Sequence, residues 1–297
     1  PLSINTGEFI KQLKPVTHSY ARDFAQKNMS WMTSGGRLAT TVSHTIGIER
    51  SNALSKRLHQ TFKTIPIVPV SMPKAAKALE MDDAGSKHQS KVVYFVSCIN
   101  RTLAEVGEGF EGTAQHTLNL FAKAGYQAVF PEQLSQLCCG QPFDSKKDQK
   151  NADKASLKLN DALYHIYIDN APCALKVFKA QAEGLIDERL TLYNSAEFLV
   201  ENVLSKLTIE KKLPELSLHI PCSTKSMHSE ASLTQLAQAC SDQVQPSNID
   251  CCGFAGDKGF VLPELNQNGL RNLQKTFSNS CAHGVSMSKT CQIGLSS

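Results

Sequence analysis

The chain has little of what usually marks a membrane, nucleic-acid or secreted protein. No run approaches the eighteen or so apolar residues of a membrane span, and the N-terminus lacks the charged-then-apolar order of a signal peptide. No block of five or six like charges occurs, and a net charge of +4 over 297 residues is mild. Neither nucleic acid nor an anionic membrane is therefore expected as a partner. Ten cysteines in 297 residues are too sparse for a disulfide scaffold. In a reducing cytoplasm, the compartment expected here, such cysteines point to metal or redox chemistry. No histidine stands beside a serine and an acid in a hydrolase motif, no flavin-binding motif is visible, and "GFAGDKG" lacks the full phosphate-loop pattern.

Two short stretches stand out against these absences. "QLCCGQPFDS" places Cys138 and Cys139 side by side before Gly140, and "DCCGFAGDKG" repeats the arrangement at Cys251, Cys252 and Gly253. Neighbouring side chains on a strand point to opposite faces, so adjacent sulfurs serve one centre only where the backbone turns sharply. Glycine supplies that turn, because it alone enters positive φ at little cost. A single such pair reads equally well as two buried cysteines near a turn; a second copy argues against that.

The order of elements around the pairs also repeats. "KVVYFVSC" reads as a buried strand ending at Cys98, "GTAQHTLNLFAKAG" as a helix closed by Gly125, and "YQAVFPE" as a second strand. The first cysteine pair follows, then a long helix through "KNADKASLKLNDALYHIY", then Cys173. Downstream, "LSLHIPC" leads to Cys222 and "SEASLTQLAQAC" is helical. Cys251-Cys252, a helix over "LPELNQNGLRNLQKTF" and Cys291 complete the series. We expect an α/β protein of duplicated Rossmann-like βα lobes related by pseudo-two-fold symmetry, spanning residues 89–185 and 186–297. Between the lobes, Asn194 and Glu197 are spaced as a capping box for a bridging helix. Residues 1–88 read as an α-helical segment plus connector. Helices are expected over "TGEFIKQLK", "SYARDFAQKNMSWM" and "ERSNALSKRLHQTF", with "SGGR" breaking them and Trp31 packed in a core. The start at Pro1, without an initiator methionine, suggests a longer polypeptide, with Pro1 closing a ferredoxin Cys-Pro motif.

Each half thus offers four thiols at the carboxyl ends of strands or in the loops beyond, where open α/β sheets build their sites. These are Cys98, Cys138, Cys139 and Cys173, then Cys222, Cys251, Cys252 and Cys291. Four thiolates suit zinc or a [4Fe-4S] cluster. Neither half has the paired C-x2-C pattern of structural zinc, and a cubane spreads its ligands over a larger volume, which favours iron-sulfur. Cys240 is expected to be buried, and Cys281 is a spare thiol that could substitute as a ligand. His116, His165 and His219 read as satisfied core or surface residues.

These residues resemble the cysteine-rich CCG domain of the heterodisulfide reductase B subunit, the glycolate oxidase iron-sulfur subunit and the lactate utilisation proteins. "PLSINTGEFIK", "VVYFVSCINR", "QLCCGQPFDSK", "NAPCALK", "IPCSTKSM", "CCGFAGDKGF" and "SKTCQIGL" together resemble the C-terminal third of FAD and iron-sulfur D-lactate dehydrogenases. The resemblance implies that residues 1–88 end a ferredoxin-like domain and that FAD is held upstream. Electrons would pass through one or two [4Fe-4S] clusters, or one cluster and one zinc, to a quinone or cytochrome. A cytoplasmic position, or a peripheral one at the inner membrane, goes with that role. The fullest form of the domain ends each half in C-x-x-C, but here Lys176 and Gly294 stand at those places. That tells against a five-cysteine cluster and heterodisulfide chemistry.

Overall fold

The computed structural model describes residues 19–79, 90–107, 112–160, 166–273 and 281–297. The helix expected over "TGEFIKQLK", the boundary near residue 88, and His165 lie outside them. The described residues begin with three helices, α1 (Tyr20–Lys27), α2 (Met29–Ile46) and α3 (Ile48–Thr61). The expected break at "SGGR" does not occur. Gly35 and Gly36 lie inside α2, although a mid-helix glycine costs about 1 kcal/mol relative to alanine. Gly36 has a packing reason: a Cβ there would stand 2.9 Å from Thr102 Cγ2, so glycine lets α2 close on the segment carrying Cys98. Met29, Thr33, Gly36 and Thr40 recur at helical spacing on this inward side. Trp31 lies off that stripe and is 74% exposed, which overturns its expected core position.

The first sheet follows. Strand β1 (Ser90–Phe95) leads into the short helix α4 (Cys98–Thr102), then come α5 (Thr113–Lys123) and β2 (Tyr126–Val129). Two helices, α6 (Gln141–Asp144) and α7 (Gln149–Leu159), precede β3 (Ile166–Ile168), α8 (Ala171–Ala182) and β4 (Leu192–Asn194). The strands pair in parallel in the order β2-β1-β3-β4. The helix expected through "YHIY" ends at Leu159, and Ile166–Ile168 is instead a strand beside β1. Three residues buried on both faces have no alternation to read, and they continue the apolar rhythm of the helix before them. Alternate residues of β1 face opposite layers. Val93 and Phe95 pack with Leu159, Ile168 and Val177, and Val92 and Tyr94 with Phe121, Tyr167 and Phe198. In the second layer Phe121 meets Tyr167 at 5.0 Å and Phe198 at 5.5 Å, both edge to face. Such contacts add about 0.5–1.5 kcal/mol each beyond area burial.

From β4 the chain enters α9 (Ser195–Phe198), which continues through a π turn at Leu199–Val203 and a 3-10 turn at Leu204–Lys206. The second sheet uses β5 (Leu213–Leu218), with α10 (Cys222–Ser226) and α11 (Glu230–Cys240) leading to β6 (Ser241–Pro246). Helix α12 (Pro263–Leu270), β7 (Gly284–Val285) and α13 (Lys289–Leu295) complete it. Its parallel order is β6-β5-β7, so in each sheet the first strand of its half lies between the next two. Cys240, expected to be buried, ends α11 exposed. Among the described residues no helix is long and apolar enough to cross a membrane.

The halves are joined by buried polar contacts. Lys289 Nζ reaches Glu105 at 2.9 Å and donates to the Ala104 carbonyl, while the Ala171 amide donates to Met287. Burial lowers the pKa of Lys289, with Glu105 opposing the shift. At the bridging helix Asn194 Oδ1 accepts from the Glu197 amide and Asn194 Nδ2 donates to Ser229 Oγ. The Glu197 carboxylate does not close the capping box; it accepts from Ser229 Oγ at 2.6 Å. Asn194→Ala removes the cap and the cross-link from a fully buried position. It should cost about 2 kcal/mol in urea unfolding, the upper end for a lost cap, with Asn194→Asp recovering part of the loss.

Candidate metal centres

In each half the chain leaves the central strand toward one neighbour and later returns on its other side. This creates a crevice at the carboxyl end of the central strand. Cys98 opens α4 just beyond β1, and Cys173 lies in the first turn of α8 just beyond β3. Asp169, between β3 and α8, fixes the turn into α4: it accepts from the Ser97 amide at 3.0 Å and from Tyr94 Oη at 2.9 Å. Burial raises the Asp169 pKa, against the hydrogen bonds that hold its charge. Cys222 opens α10 beyond β5, and Cys291 lies in α13 beyond β7.

The cysteine pairs are delivered by a common turn. Gly140 has φ +89° and Gly253 φ +71°, and their amides approach Cys138 Sγ at 3.4 Å and Cys251 Sγ at 3.3 Å. Both glycines are also crowded by a helix further along the chain, Gly140 by α7 and Gly253 by α12. A Cβ on Gly140 would lie 2.7 Å from the Ala152 carbonyl oxygen, and one on Gly253 would lie 2.1 Å from that of Leu265.

In the first half a chain of thiol-to-thiol contacts runs Cys98, Cys138, Cys139, Cys173. Cys138, Cys139 and Cys173 are buried and Cys98 is half-buried. The Cys98 thiol is pushed well up, first by its hydrogen bond with Cys138 and then by burial. Cys138 is pushed up to about 12, chiefly by its contact with Cys139. For Cys139 the contact with Cys138 works downward, but Cys173 and burial outweigh it. Crowded thiols cannot all ionise without a cation among them, so the donor set fits a metal centre. Asn170 Nδ2 approaches Cys173 Sγ at 3.4 Å. Arg101, one turn beyond Cys98, anchors the loop through the Leu134 and Leu137 carbonyls. Its guanidinium, with its pKa lowered by burial, interacts with the Cys98 and Cys138 charges. Sequence reasoning missed Arg101; its place one helical turn after a candidate ligand was the available signal.

The second half is more open. Cys252 and Cys291 are buried with their sulfurs 3.3 Å apart, while Cys222 and Cys251 are exposed. Cys251 is raised first by its contact with Cys252 and then by burial. At Cys252 that contact works downward, but Cys291 and burial leave it at about 12. Cys222, raised by burial, interacts electrostatically with Cys251. Cys281 is not part of this group; its thiol lies 3.5 Å from the His283 carbonyl. His219, read as a satisfied residue, belongs here instead. It is 2% exposed, its Nδ1 pairs with Ser247 Oγ at 3.0 Å, and its Nε2 is buried without a partner. Burial keeps its pKa below the usual histidine value. The ligand atoms of His219, Cys252 and Cys291 lie within 4.8 Å of one another, and among the described residues no three of the first-half thiols are that close. The missed signal was the alignment of the halves: His219 stands three residues before Cys222, where Phe95 stands before Cys98.

Two measurements test this geometry. Gly253→Ala should destabilise by more than the 1–2 kcal/mol or so of a left-handed non-glycine residue, because a clash is added. Gly125→Ala, at φ +78° with nothing near its Cβ, should show the conformational cost alone. The second is pH dependence. The thiols of the metal-free protein hold protons more tightly folded than unfolded, so the stability this contributes is complete below about pH 9 and is lost as pH rises toward about 12. Urea midpoints of the metal-free protein should fall across that window, and less steeply in a Cys138→Ser/Cys252→Ser variant. An equal slope in that variant would assign the effect to other groups.

Residues 92–167, which include Cys98, Cys138 and Cys139, match the CCG family, described as a cysteine-rich domain. Lactate utilization protein A 1 of Bacillus mycoides (strain KBAB4) is 24% identical over 196 residues, covering 60% of this chain and 76% of that protein. Both comparisons support the CCG superfamily for the cysteine-bearing region.

Proposed function

We propose that this chain is the iron-sulfur, electron-carrying portion of a flavin-dependent dehydrogenase for D-lactate or a related D-2-hydroxy acid. It would pass electrons from FAD held upstream toward a quinone or cytochrome. The observation that carries this reading is the convergence of Cys98, Cys138, Cys139 and Cys173, from three separate segments of the chain, at the carboxyl ends of β1 and β3. Soft thiolates select zinc or iron-sulfur, and the spread of these four beyond a single-ion trio favours a [4Fe-4S] cluster. A bound cluster would supply one-electron capacity. The name of the Bacillus mycoides relative, a lactate utilization protein, agrees with the substrate class.

The surrounding residues suit that role. The Gly140 amide and Asn170 Nδ2 point at ligand sulfurs, and Arg101 places a cation beside them. Hydrogen bonds and positive charge at the sulfurs favour the reduced state. Asn170 also links the halves, because its Oδ1 accepts from the Lys289 amide two residues before Cys291. Ile99 and Leu103, on and just after α4, pack in one cluster with Cys252 and Cys291. This supports passage of electrons between neighbouring centres. Met29 of α2 packs in the core with Cys138 and Cys139, so the helical segment covers the first centre as the end of a ferredoxin-like domain would. Tyr20, Phe24, Trp31, Leu38 and Val42 leave an apolar outer face for the upstream domains.

The fifth-ligand positions argue against disulfide reduction. Lys176 is buried with its ammonium 3.5 Å from Asp144, and a Cβ on Gly294 would stand 2.8 Å from Asn266 Nδ2 and 3.0 Å from the Phe254 ring. Protein purified without oxygen should contain about four iron atoms per chain for one cubane and a visible absorbance that dithionite bleaches. Cys139→Ser should lose both. A colourless, iron-free preparation would refute the assignment.

A further inference from the structure

Beside the first cysteine set lies a buried carboxylate whose hydrogen bonds leave its charge uncancelled. Asp169 follows β3 directly, four residues before Cys173, and is 6% exposed. Its Oδ1 accepts from the amide of Ser97, the residue before Cys98, and its Oδ2 accepts from Tyr94 Oη. It therefore braces two of the three segments that deliver thiols. Both donors are neutral, so they hold the charge in place without cancelling it. Arg101 stands in the complementary position, one turn beyond Cys98, with its terminal nitrogens on the carbonyls of Leu134 and Leu137, the latter preceding Cys138. These partners are neutral too, and Arg101 Nε is buried without one. Burial lowers the Arg101 pKa, and the charges of Cys98, Cys138 and Asp169 oppose that shift. Two fixed charges of opposite sign thus act on one set of sulfurs in a low-dielectric interior, where such fields are weakly screened.

The second half lacks this arrangement. Cys173 and Cys291 are each the third residue of their helix, α8 and α13, which aligns Asp169 with Met287. Arg101 aligns with Lys225, each three residues after the first cysteine of its half, but the Lys225 side chain is 42% exposed and pairs with Asp250 at 3.6 Å. The carboxylate is replaced by a thioether and the cation is solvated. We propose that Asp169 sets the reduction potential of the first centre, its fixed negative charge offsetting the positive charge of Arg101 so that the centre does not trap the electron it receives. Negative charge near the ligands disfavours the reduced state, and without the carboxylate Arg101 would act unopposed. Asp169 is a positioning residue, acting through its field rather than as a ligand. The inference deepens the functional reading and rests on it for the presence of a redox group at Cys98, Cys138, Cys139 and Cys173.

The test is a redox titration of the 297-residue chain purified without oxygen, followed by visible absorbance and electron paramagnetic resonance. The signal that Cys139→Ser abolishes identifies the first centre. Asp169→Asn keeps an acceptor for the Ser97 amide but removes the charge. It should raise the midpoint so that the ratio of reduced to oxidised centre at a fixed potential grows about tenfold, a shift of about 59 mV for one electron. Arg101→Gln should lower the midpoint by a similar amount, and Asp169→Asn/Arg101→Gln should return it close to the wild type. Arg101→Lys should also stay near the wild type, although it loses the two-carbonyl anchor. A role confined to bracing the loops would change iron content or stability without these opposed shifts. If Asp169→Asn alone fails to hold iron, the double variant decides: a midpoint above that of Arg101→Gln supports the proposal, and an equal one overturns it. Iron retained in Asp169→Asn with an unmoved or lowered midpoint also overturns it and leaves the electron-carrier reading intact, whereas an iron-free wild type removes both.

Discussion

The constraint on which the rest depends is the left-handed glycine behind each cysteine pair. A strand would send adjacent sulfurs to opposite faces, and a helix would set them about 100° apart. The positive-φ turn at Gly140 and Gly253 instead brings a backbone amide to the first sulfur of each pair. It also lets a later helix, α7 or α12, approach so closely that no Cβ could be accommodated. Turn, thiol orientation and helix packing are therefore one feature, and a side chain at either glycine disturbs all three.

The two halves share this turn but not its surroundings. Around the first, the apolar core of Phe95, Phe143 and Ile168, the covering helix α2 and a buried arginine form a dry environment, where charge on a sulfur interacts strongly with nearby dipoles. Around the second, two thiols reach solvent and an imidazole takes the inner position. The contacts between the halves run through Asn170, Glu105 and Lys289, close to both sets of cysteines. These contacts tie the frames of the two cysteine sets together.

Much of the fold was legible along the chain. β1 carries a short apolar, β-branched run, α5, α7 and α11 carry helical patterns, and the Asn194 cap was visible from its spacing. The parts that were not legible have identifiable causes. β3 and β4 are three residues long, too short for periodicity to register against a neighbouring helix. Gly35 and Gly36 look like a break because propensity is local, whereas the role of Gly36 is the close approach of Thr102 from 66 residues downstream. Trp31 and Cys240 are apolar by type yet exposed, because burial depends on which face of a helix the rest of the molecule covers.

The sequence by itself determined that eight cysteines recur in two similarly ordered sets, that each pair must turn at a glycine, and that the fold is α/β. Those conclusions need only chain order and local stereochemistry. Tertiary structure alone decided that Arg101 lies against the first set, that Asn170 spans both halves, and that His219 keeps an unpartnered nitrogen near Cys252 and Cys291. Which atoms meet at a crevice is set by how separate loops fold back from two parallel sheets, and by which polar atoms are left without water or partner once they do.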